Sequence, residues 1–153
     1  MKSAHKFLQL APAQQWFWLK SWLTLLTITG CFRVLPYAWL KNRVVKPLLD
    51  SQPVAIKKSS NIPVKTIEAL FLSACYRQPL TSTCLHRSLT LKRLLTQQGL
   101  EAKIIIGVKK EQGKLMAHAW IDHKGQALAD TDENINQYKP LANLEQGALL
   151  FLQ

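Results

Sequence analysis

The spacing of apolar residues predicts two helices in the first third of the chain. Between residues 13 and 30, apolar side chains recur at three- and four-residue steps, the period of one helix face. A second, shorter helix is predicted over residues 36–45, because Pro36 is compatible with a first helical turn. Residues 47–63 contain three prolines together with serines and lysines, which indicates a connector.

Two further helices are predicted before the part of the chain that predicts strands. Pro63 opens an apolar helical pattern that runs to about residue 75. The polar stretch 77–83 interrupts it and ends in Thr83, a favourable N-cap for a helix over residues 84–98. Gly99 predicts the end of that helix, since glycine commonly follows a helical C-terminus.

The second half of the chain predicts a sheet. Runs of β-branched and apolar residues, separated by glycine-containing turns, are typical of antiparallel strands. The strands are predicted over residues 100–109, 115–122 and 126–131, and the apolar run 148–152 predicts one more strand or helix. Together these elements predict an α+β fold, in which a cysteine-bearing helix packs on an antiparallel sheet and an N-terminal helical region comes first. We divide the chain into residues 1–60, helices and linker, and a domain over residues 61–153.

Composition and cysteine spacing indicate a folded protein in a reducing cellular compartment. With 153 residues, 48% of them hydrophobic, the chain is large enough for a packed core. Its three cysteines are far apart and form no C-x-x-C pair, which argues against a disulfide framework or a zinc knuckle and favours a reducing compartment.

The apolar segment 21–32 lies between Lys20 and Arg33 and is shorter than the ~20 residues of a membrane span. No signal-peptide cleavage pattern follows it. We expect a cytoplasmic protein whose N-terminal helix packs internally, in preference to contacting a membrane surface or a partner.

The charge is strongly basic. Twenty Lys and Arg against nine Asp and Glu give a formal net charge of +11, which attracts anionic partners without choosing among them. The basic residues are scattered, which favours a solvated surface. No zinc-finger, helix-turn-helix or RNA-binding pattern is present, so no nucleic-acid partner is expected. A basic adaptor that binds nucleic acid or a membrane is kept as the non-enzymatic alternative.

Cys84 is the strongest candidate for chemistry. A cysteine in the first turn of a helix lies at the positive end of the helix dipole, near unpaired backbone N–H groups that lower its pKa and can bind an oxyanion. The alternative is a small buried apolar residue, which is the interpretation we prefer for Cys31 and Cys75.

His118 and Asp130 supply the base and the acid that a thiol nucleophile needs. A buried imidazole inside the apolar run 115–121 needs a hydrogen-bond partner. The alternative is a core histidine whose hydrogen bonds have only a structural role. If residues 123–125 form a three-residue hairpin loop with a left-handed Gly125, His118 and Asp130 lie directly opposite each other. A two-residue turn would shift this register.

Other residues compete for these roles or assist them. His86 is close to Cys84 in sequence, but two helical positions are separated by about 200°, so it faces away. Asp122 and Asp132 are the rival carboxylates. Two further predictions are Gln78, whose amide could complete an oxyanion hole, and Trp120, which could shield the His–Asp pair or bind substrate; the alternatives are an ordinary loop glutamine and a core tryptophan.

Taken together, the segment TCLHRSL at residues 83–89, the segment AHAWI at 117–121, Gly125 and Asp130 resemble a known family. They are similar to the transglutaminase-like leader peptidases of lasso-peptide biosynthesis, the McjB C-terminal domain family. The resemblance covers about residues 65–140 and implies a transglutaminase or papain-like core with Cys84, His118 and Asp130 as its triad.

The resemblance also implies a function and partners. It implies a bacterial cysteine peptidase that removes the leader from a ribosomally made precursor peptide, usually with a threonine at the penultimate leader position. The expected partners are a PqqD-like leader-binding protein and an asparagine-synthetase-like cyclase. The leader-binding protein is expected to be a separate chain, because the first sixty residues lack its strand-rich pattern. The family's activity is described as ATP-dependent, but no P-loop is present, so nucleotide dependence should belong to a partner. No cofactor or metal is expected on this chain. The enzymatic alternative is acyl transfer to an amine by the same triad.

Overall fold

The computed structural model describes residues 9–51 and 62–141. Its elements form a helical half followed by a sheet. In chain order they are α1 (Pro12–Val34), α2 (Tyr37–Leu40), a π-helical segment (Lys41–Val45), α3 (Lys46–Leu49), α4 (Val64–Tyr76), α5 (Cys84–Gln97), β1 (Lys103–Glu111), β2 (Lys114–His123), β3 (Gln126–Leu128), α6 (Asp132–Ile135) and β4 (Lys139–Pro140).

The four strands form one antiparallel sheet in the order β3-β2-β1-β4. A two-residue turn joins β1 to β2, and its residues Gln112 and Gly113 both have positive φ, 49° and 81°. Such a turn has the twist that antiparallel neighbours require. The predicted α+β fold, with a cysteine-bearing helix and a preceding helical region, is confirmed.

The core lies between one face of the sheet and the helices. Ile104 pairs with Ile121 and Ile106 with Ala119, so these four side chains share the face that is buried. Helix α1 contributes to the same hydrophobic cluster, with Phe17, Leu25 and Ile28. The N-terminal helix therefore packs against the rest of the protein, as expected, while its opposite side exposes Trp16, Leu19 and Leu23.

Several boundaries differ from the sequence prediction. The short helix predicted over 36–45 continues to Leu49 through a π-helical turn. The third strand, predicted over 126–131, ends at Leu128, because Ala129 adopts a left-handed conformation with φ 60° and leaves the sheet. The apolar run 148–152 lies outside the described residues. So does most of the connector that contains the boundary predicted at residue 60, and the division of the chain there stays a prediction.

None of the helices in the described ranges is long and apolar enough to cross a membrane.

We predict that Leu25→Ala lowers the free energy of unfolding of the whole protein by about 2–5 kcal/mol, because this fully buried side chain leaves a cavity. Urea unfolding followed by circular dichroism measures the change. Leu23→Ala, on the same helix but 48% exposed, is the matched control and should stay within about 0.5 kcal/mol. Equal effects of the two substitutions would show that α1 is not part of the common core.

Candidate active site

Cys84 is the first residue of α5, as its sequence context predicted. Thr83 caps the helix: its Oγ1 accepts a hydrogen bond from the His86 backbone N–H at 3.4 Å, and the His86 Nδ1 accepts from the Thr83 N–H at 3.4 Å. This cap fixes where the helix begins and so places the thiol in the first turn. The Cys84 backbone N–H is one of the first-turn donors that a helix cannot pair internally.

An open edge of β2 holds the cysteine helix against the sheet. In the β2–β3 hairpin, His123 pairs with Gln126 and Ile121 with Leu128, so the backbone groups of Ala119 point to the side that β3 would occupy if it continued. Because β3 has ended, this edge is available to α5. The Ser88 Oγ donates to the Ala119 carbonyl at 3.0 Å, and the Ala119 N–H donates to the Cys84 sulfur. The thiol is thereby fixed beside the residue that follows His118.

His118 and Asp130 form a direct pair. The His118 Nε2 lies 2.5 Å from the Asp130 Oδ2, and both side chains are largely buried. Since Nε2 is engaged with the carboxylate, Nδ1 is the ring nitrogen left to interact with Cys84, with which the imidazole is hydrogen-bonded. The structure therefore brings together Cys84, His118 and Asp130, the residues predicted as nucleophile, base and orienting acid.

The other carboxylate oxygen of Asp130 is also held. Its Oδ1 accepts hydrogen bonds from the Thr131 backbone N–H and from the Asn134 Nδ2, each at 2.8 Å. Thr131 caps the short helix α6 and accepts from the Asn134 N–H at 3.3 Å. The helix α6 thus fixes the orientation of the carboxylate that faces His118.

Glu68 supports the turn that delivers Asp130 to the site. The Ala129 N–H donates to the Glu68 Oε1 at 2.7 Å, across 61 positions of sequence. Ala129 has φ 60°, an uncommon conformation for a residue with a Cβ atom. A hydrogen bond from α4 at this residue stabilises the change of direction between β3 and Asp130.

The predicted three-residue hairpin loop between β2 and β3 is wrong, although His118 and Asp130 do form a pair. The turn contains two residues, Lys124 and Gly125, with φ 53° and 81°, and not the three residues of the predicted loop. In this register a continued strand would place residue 131 opposite His118. The contact with Asp130 exists because the chain leaves the sheet at Ala129 and approaches His118 from the end of β3.

The electrostatics of the triad favour charge separation. Burial by itself raises the pKa of the Cys84 thiol, but hydrogen bonds with His118 and the Ala119 N–H, together with the His118 charge, lower it below its ordinary value. The hydrogen bond with Cys84 raises the pKa of His118, burial opposes this, and the hydrogen bond with Asp130 adds to the rise. Burial also raises the pKa of Asp130, but hydrogen bonds from Asn134, His118 and Thr131 outweigh it, so Asp130 stays ionised. The arrangement stabilises a thiolate next to an imidazolium.

Two aromatic rings lie against the imidazole. Trp120 follows His118 on the same face of β2, with ring centroids 6.0 Å apart and planes inclined by 20°, and the Tyr138 ring centroid lies 5.1 Å from His118. Gly107 pairs with His118 and makes room for both rings: a Cβ there would lie 2.8 Å from the Tyr138 Cβ and 3.0 Å from the Trp120 ring. Trp120 is buried beside His118, where it excludes water from one side of the imidazole.

A cavity of about 270 Å³ opens onto these groups. Its lining combines the polar groups of Cys84, His118 and Asp130 with apolar side chains. The lining residues include Phe71, Leu72, Ser82, Cys84, Arg87, Ser88, Leu91, His118, Trp120, Ile121, Leu128, Asp130 and Asn134. An extended acyl group can therefore reach the sulfur of Cys84 from solvent.

Gln78 does not face this cavity. Its Nε2 donates to the Trp22 carbonyl at 2.7 Å, so the amide holds the loop before Cys84 against α1 and is not available to an oxyanion in this conformation. The signal that suggested an oxyanion role, a side-chain amide shortly before the nucleophile, cannot report which way the amide points.

The remaining candidates lie away from the sulfur. His86 packs on Phe32, with ring centroids 4.5 Å apart, and burial followed by the Arg33 charge lowers its pKa to about 4. Burial raises the pKa of the Cys75 thiol to about 11, which disfavours the reactive thiolate. Asp122 accepts a hydrogen bond from the Gly125 N–H at 3.4 Å in the hairpin turn. Asp132 lies in the first turn of α6, exposed to solvent.

The supporting residues that were not predicted from the sequence include Glu68, Ser88 and Asn134. Thr131 is a favourable N-cap, so a helix start near Asn134 had a local signal in the sequence. Glu68 and Ser88 act through contacts distant in sequence, for which the chain carries no local pattern. Within the described ranges, no group of three His, Cys, Asp or Glu side chains converges as a metal site.

We predict that Glu68→Leu slows alkylation of Cys84 by iodoacetamide about tenfold or more at pH 7, because Asp130 loses its fixed position relative to His118. Mass spectrometry of the peptide that carries Cys84 gives the rate. Glu68→Gln keeps an acceptor oxygen for the Ala129 N–H and should retain most of the reactivity. Glu101→Leu, which removes an exposed carboxylate away from the site, is the charge control; an equal loss there would contradict the proposed contact.

Comparison with known proteins gives one result at the level of a family. No curated protein and no solved structure matches the chain significantly. The family model described as the transglutaminase-like superfamily matches residues 32–143, which include α4, α5, the whole sheet and all three triad residues. Cysteine-based acyl transfer and proteolysis are typical of this superfamily. The chain therefore belongs to the transglutaminase-like superfamily.

Proposed function

We propose that the protein is a cysteine peptidase that removes the leader from a ribosomally made lasso precursor peptide. The observation that carries the catalytic part is the Cys84–His118–Asp130 array, which lines an open cavity. The resemblance of residues 83–89 and 117–121 to lasso leader peptidases supports the choice of substrate, and membership of the transglutaminase-like superfamily is consistent with it.

The reaction follows from the geometry in two halves. The Cys84 thiolate attacks the scissile carbonyl, and the resulting oxyanion lies near the Cys84 backbone N–H at the start of α5. The carbonyl re-forms as a thioester when the C–N bond breaks, and the protonated His118 gives its proton to the leaving amine. His118 then takes a proton from water, whose oxygen attacks the thioester and releases the leader as a carboxylic acid. Asp130 keeps the imidazole in the tautomer that faces the sulfur.

Leader removal requires partners in this proposal. A separate leader-binding protein of the PqqD-like type presents the precursor, and an asparagine-synthetase-like cyclase consumes the new N-terminus. Any nucleotide dependence belongs to these partners, because the proposed reaction on this chain uses only a thiol, an imidazole and water. The protein would work in the bacterial cytoplasm.

Acyl transfer to an amine is the second candidate on the same triad. The thioester is common to both reactions, and the outcome depends on whether water or an amine reaches it. The openness of the cavity to solvent at Cys84, which is only half-buried, favours water.

We predict that the purified protein, with its leader-binding partner, converts a lasso precursor into two products whose masses sum to the precursor plus one water. Mass spectrometry with an added primary amine separates the candidates, because transfer to the amine yields a leader that carries a new amide. Cys84→Ala should give no product, and Cys31→Ser is the control for a second free thiol. Full cleavage by Cys84→Ala would end the proposal.

The pH dependence of Cys84 alkylation follows from the shifted pKa values. The lowered pKa of Cys84 and the raised pKa of His118 define a window in which the thiolate–imidazolium pair is populated. We predict that reactivity appears as pH rises through the Cys84 pKa, below the ordinary thiol range, and that the ion pair is lost as pH rises through the His118 pKa. Asp130→Asn should move the onset of alkylation to higher pH, because it removes a charge that raises the His118 pKa, and a His118 that is less readily protonated lowers the Cys84 pKa less. An unchanged profile in Asp130→Asn would argue against the orienting role.

A further inference from the structure

The cavity contains one cation that the proposed chemistry does not use. Arg87 follows Cys84 by three positions on α5, so the two side chains leave the same helix face about one turn apart. Arg87 is exposed and lines the cavity together with Cys84. Its position places a positive charge beside the path of the acyl group.

The guanidinium is oriented but not neutralised. The Arg87 Nε donates to the Ser82 Oγ at 3.1 Å, and Ser82 also lines the cavity. No carboxylate of residues 9–51 and 62–141 lies within ion-pair distance of Arg87. The two Nη groups keep the planar fork geometry that matches a carboxylate.

The remaining charges of the cavity are engaged with each other. Asp130 pairs with His118 and takes two further hydrogen bonds, so it offers little to a substrate cation. An anionic substrate group therefore meets one uncommitted charge among the described lining residues, and that charge is positive. The apolar lining residues of the same cavity, which include Phe71, Leu91 and Leu128, can accept an aliphatic side chain of the substrate.

We infer that Arg87 is a specificity-determining residue that binds a carboxylate of the acyl donor. The preferred acyl donor has an acidic side chain at its last or penultimate position and an apolar side chain at the other, in place of the penultimate threonine that is usual for the lasso leader peptidases. This inference rests on the proposed function in so far as Cys84 is the nucleophile that fixes where the carbonyl lies.

Reversible peptide nitriles test the inference without any turnover. The Cys84 sulfur adds to the nitrile carbon and the nitrile nitrogen takes the His118 proton, which gives a thioimidate and protects the thiol from iodoacetamide. Two series cover the two possible positions: acetyl-Leu-Asp nitrile and acetyl-Asp-Leu nitrile, each compared with its Asn counterpart. Protection is measured by mass spectrometry of the peptide that carries Cys84.

We expect the Asp compound of one series to protect about tenfold better than its Asn counterpart, as a charge-assisted hydrogen bond exceeds a neutral one. Arg87→Gln should abolish this preference, and Arg87→Lys should keep only part of it because the fork is lost. Arg93→Gln is the matched control, since it removes an exposed arginine from the same helix that does not line the cavity. Circular dichroism checks that each variant is folded.

The outcomes separate this inference from the function on which it rests. Equal protection by Asp and Asn in both series, or the same loss in Arg93→Gln as in Arg87→Gln, would overturn the role of Arg87 and leave Cys84 as the nucleophile. Failure of all four nitriles to protect Cys84 would overturn both proposals.

Discussion

The early end of β3 is the constraint on which the site depends. After Leu128 the edge of β2 at Ala119 has no strand partner, and the first two turns of α5 take its place through Cys84 and Ser88. A longer β3 would use the same backbone groups in a ladder and would separate the thiol from the sheet. The same ending releases the chain at Ala129, so Asp130 reaches His118 from outside the sheet. The early end of β3 therefore positions both Cys84 and Asp130 relative to His118.

The hydrogen bonds around the triad explain why its charges are stable in a half-buried place. Burial opposes ionisation of both the thiol and the carboxyl, and each is compensated by donors that the local structure provides. For Cys84 the donors are the imidazole and a backbone N–H from the open strand edge. For Asp130 they come from His118 and from the start of α6, where Thr131 and Asn134 converge on one oxygen. These donors come together because β3 ends, Ala129 turns the chain, and α6 begins, in that order.

Local signals in the sequence were sufficient for the helices and the long strands, but not for the final approach of Asp130. Thr83 and Gly99 mark the limits of α5, and α5 indeed follows Thr83, with Gly99 in a left-handed conformation. The hairpin register was predicted wrongly because a Lys-Gly pair gives no clear choice between a two- and a three-residue loop. The left-handed conformation of Ala129 was missed for a different reason. It is stabilised by Glu68 on α4, and no residue near Ala129 in the sequence predicts it. Contacts of this kind are set by tertiary packing, which overrides local preference.

The N-terminal helix contributes to the site although it supplies none of the triad. The loop between α4 and α5 is attached to α1 at several points: the Trp22 carbonyl accepts from Gln78, the Trp22 indole donates to the Arg77 carbonyl at 3.0 Å, and Arg33 donates to the Thr81 carbonyl at 3.4 Å. This loop carries Thr83, which sets the start of α5 and therefore the position of the thiol. Because α1 also shares the hydrophobic core, a change in its packing is transmitted to the loop and the cap. Gln78, which the sequence suggested as an oxyanion donor, instead holds the segment that leads to Cys84 against α1.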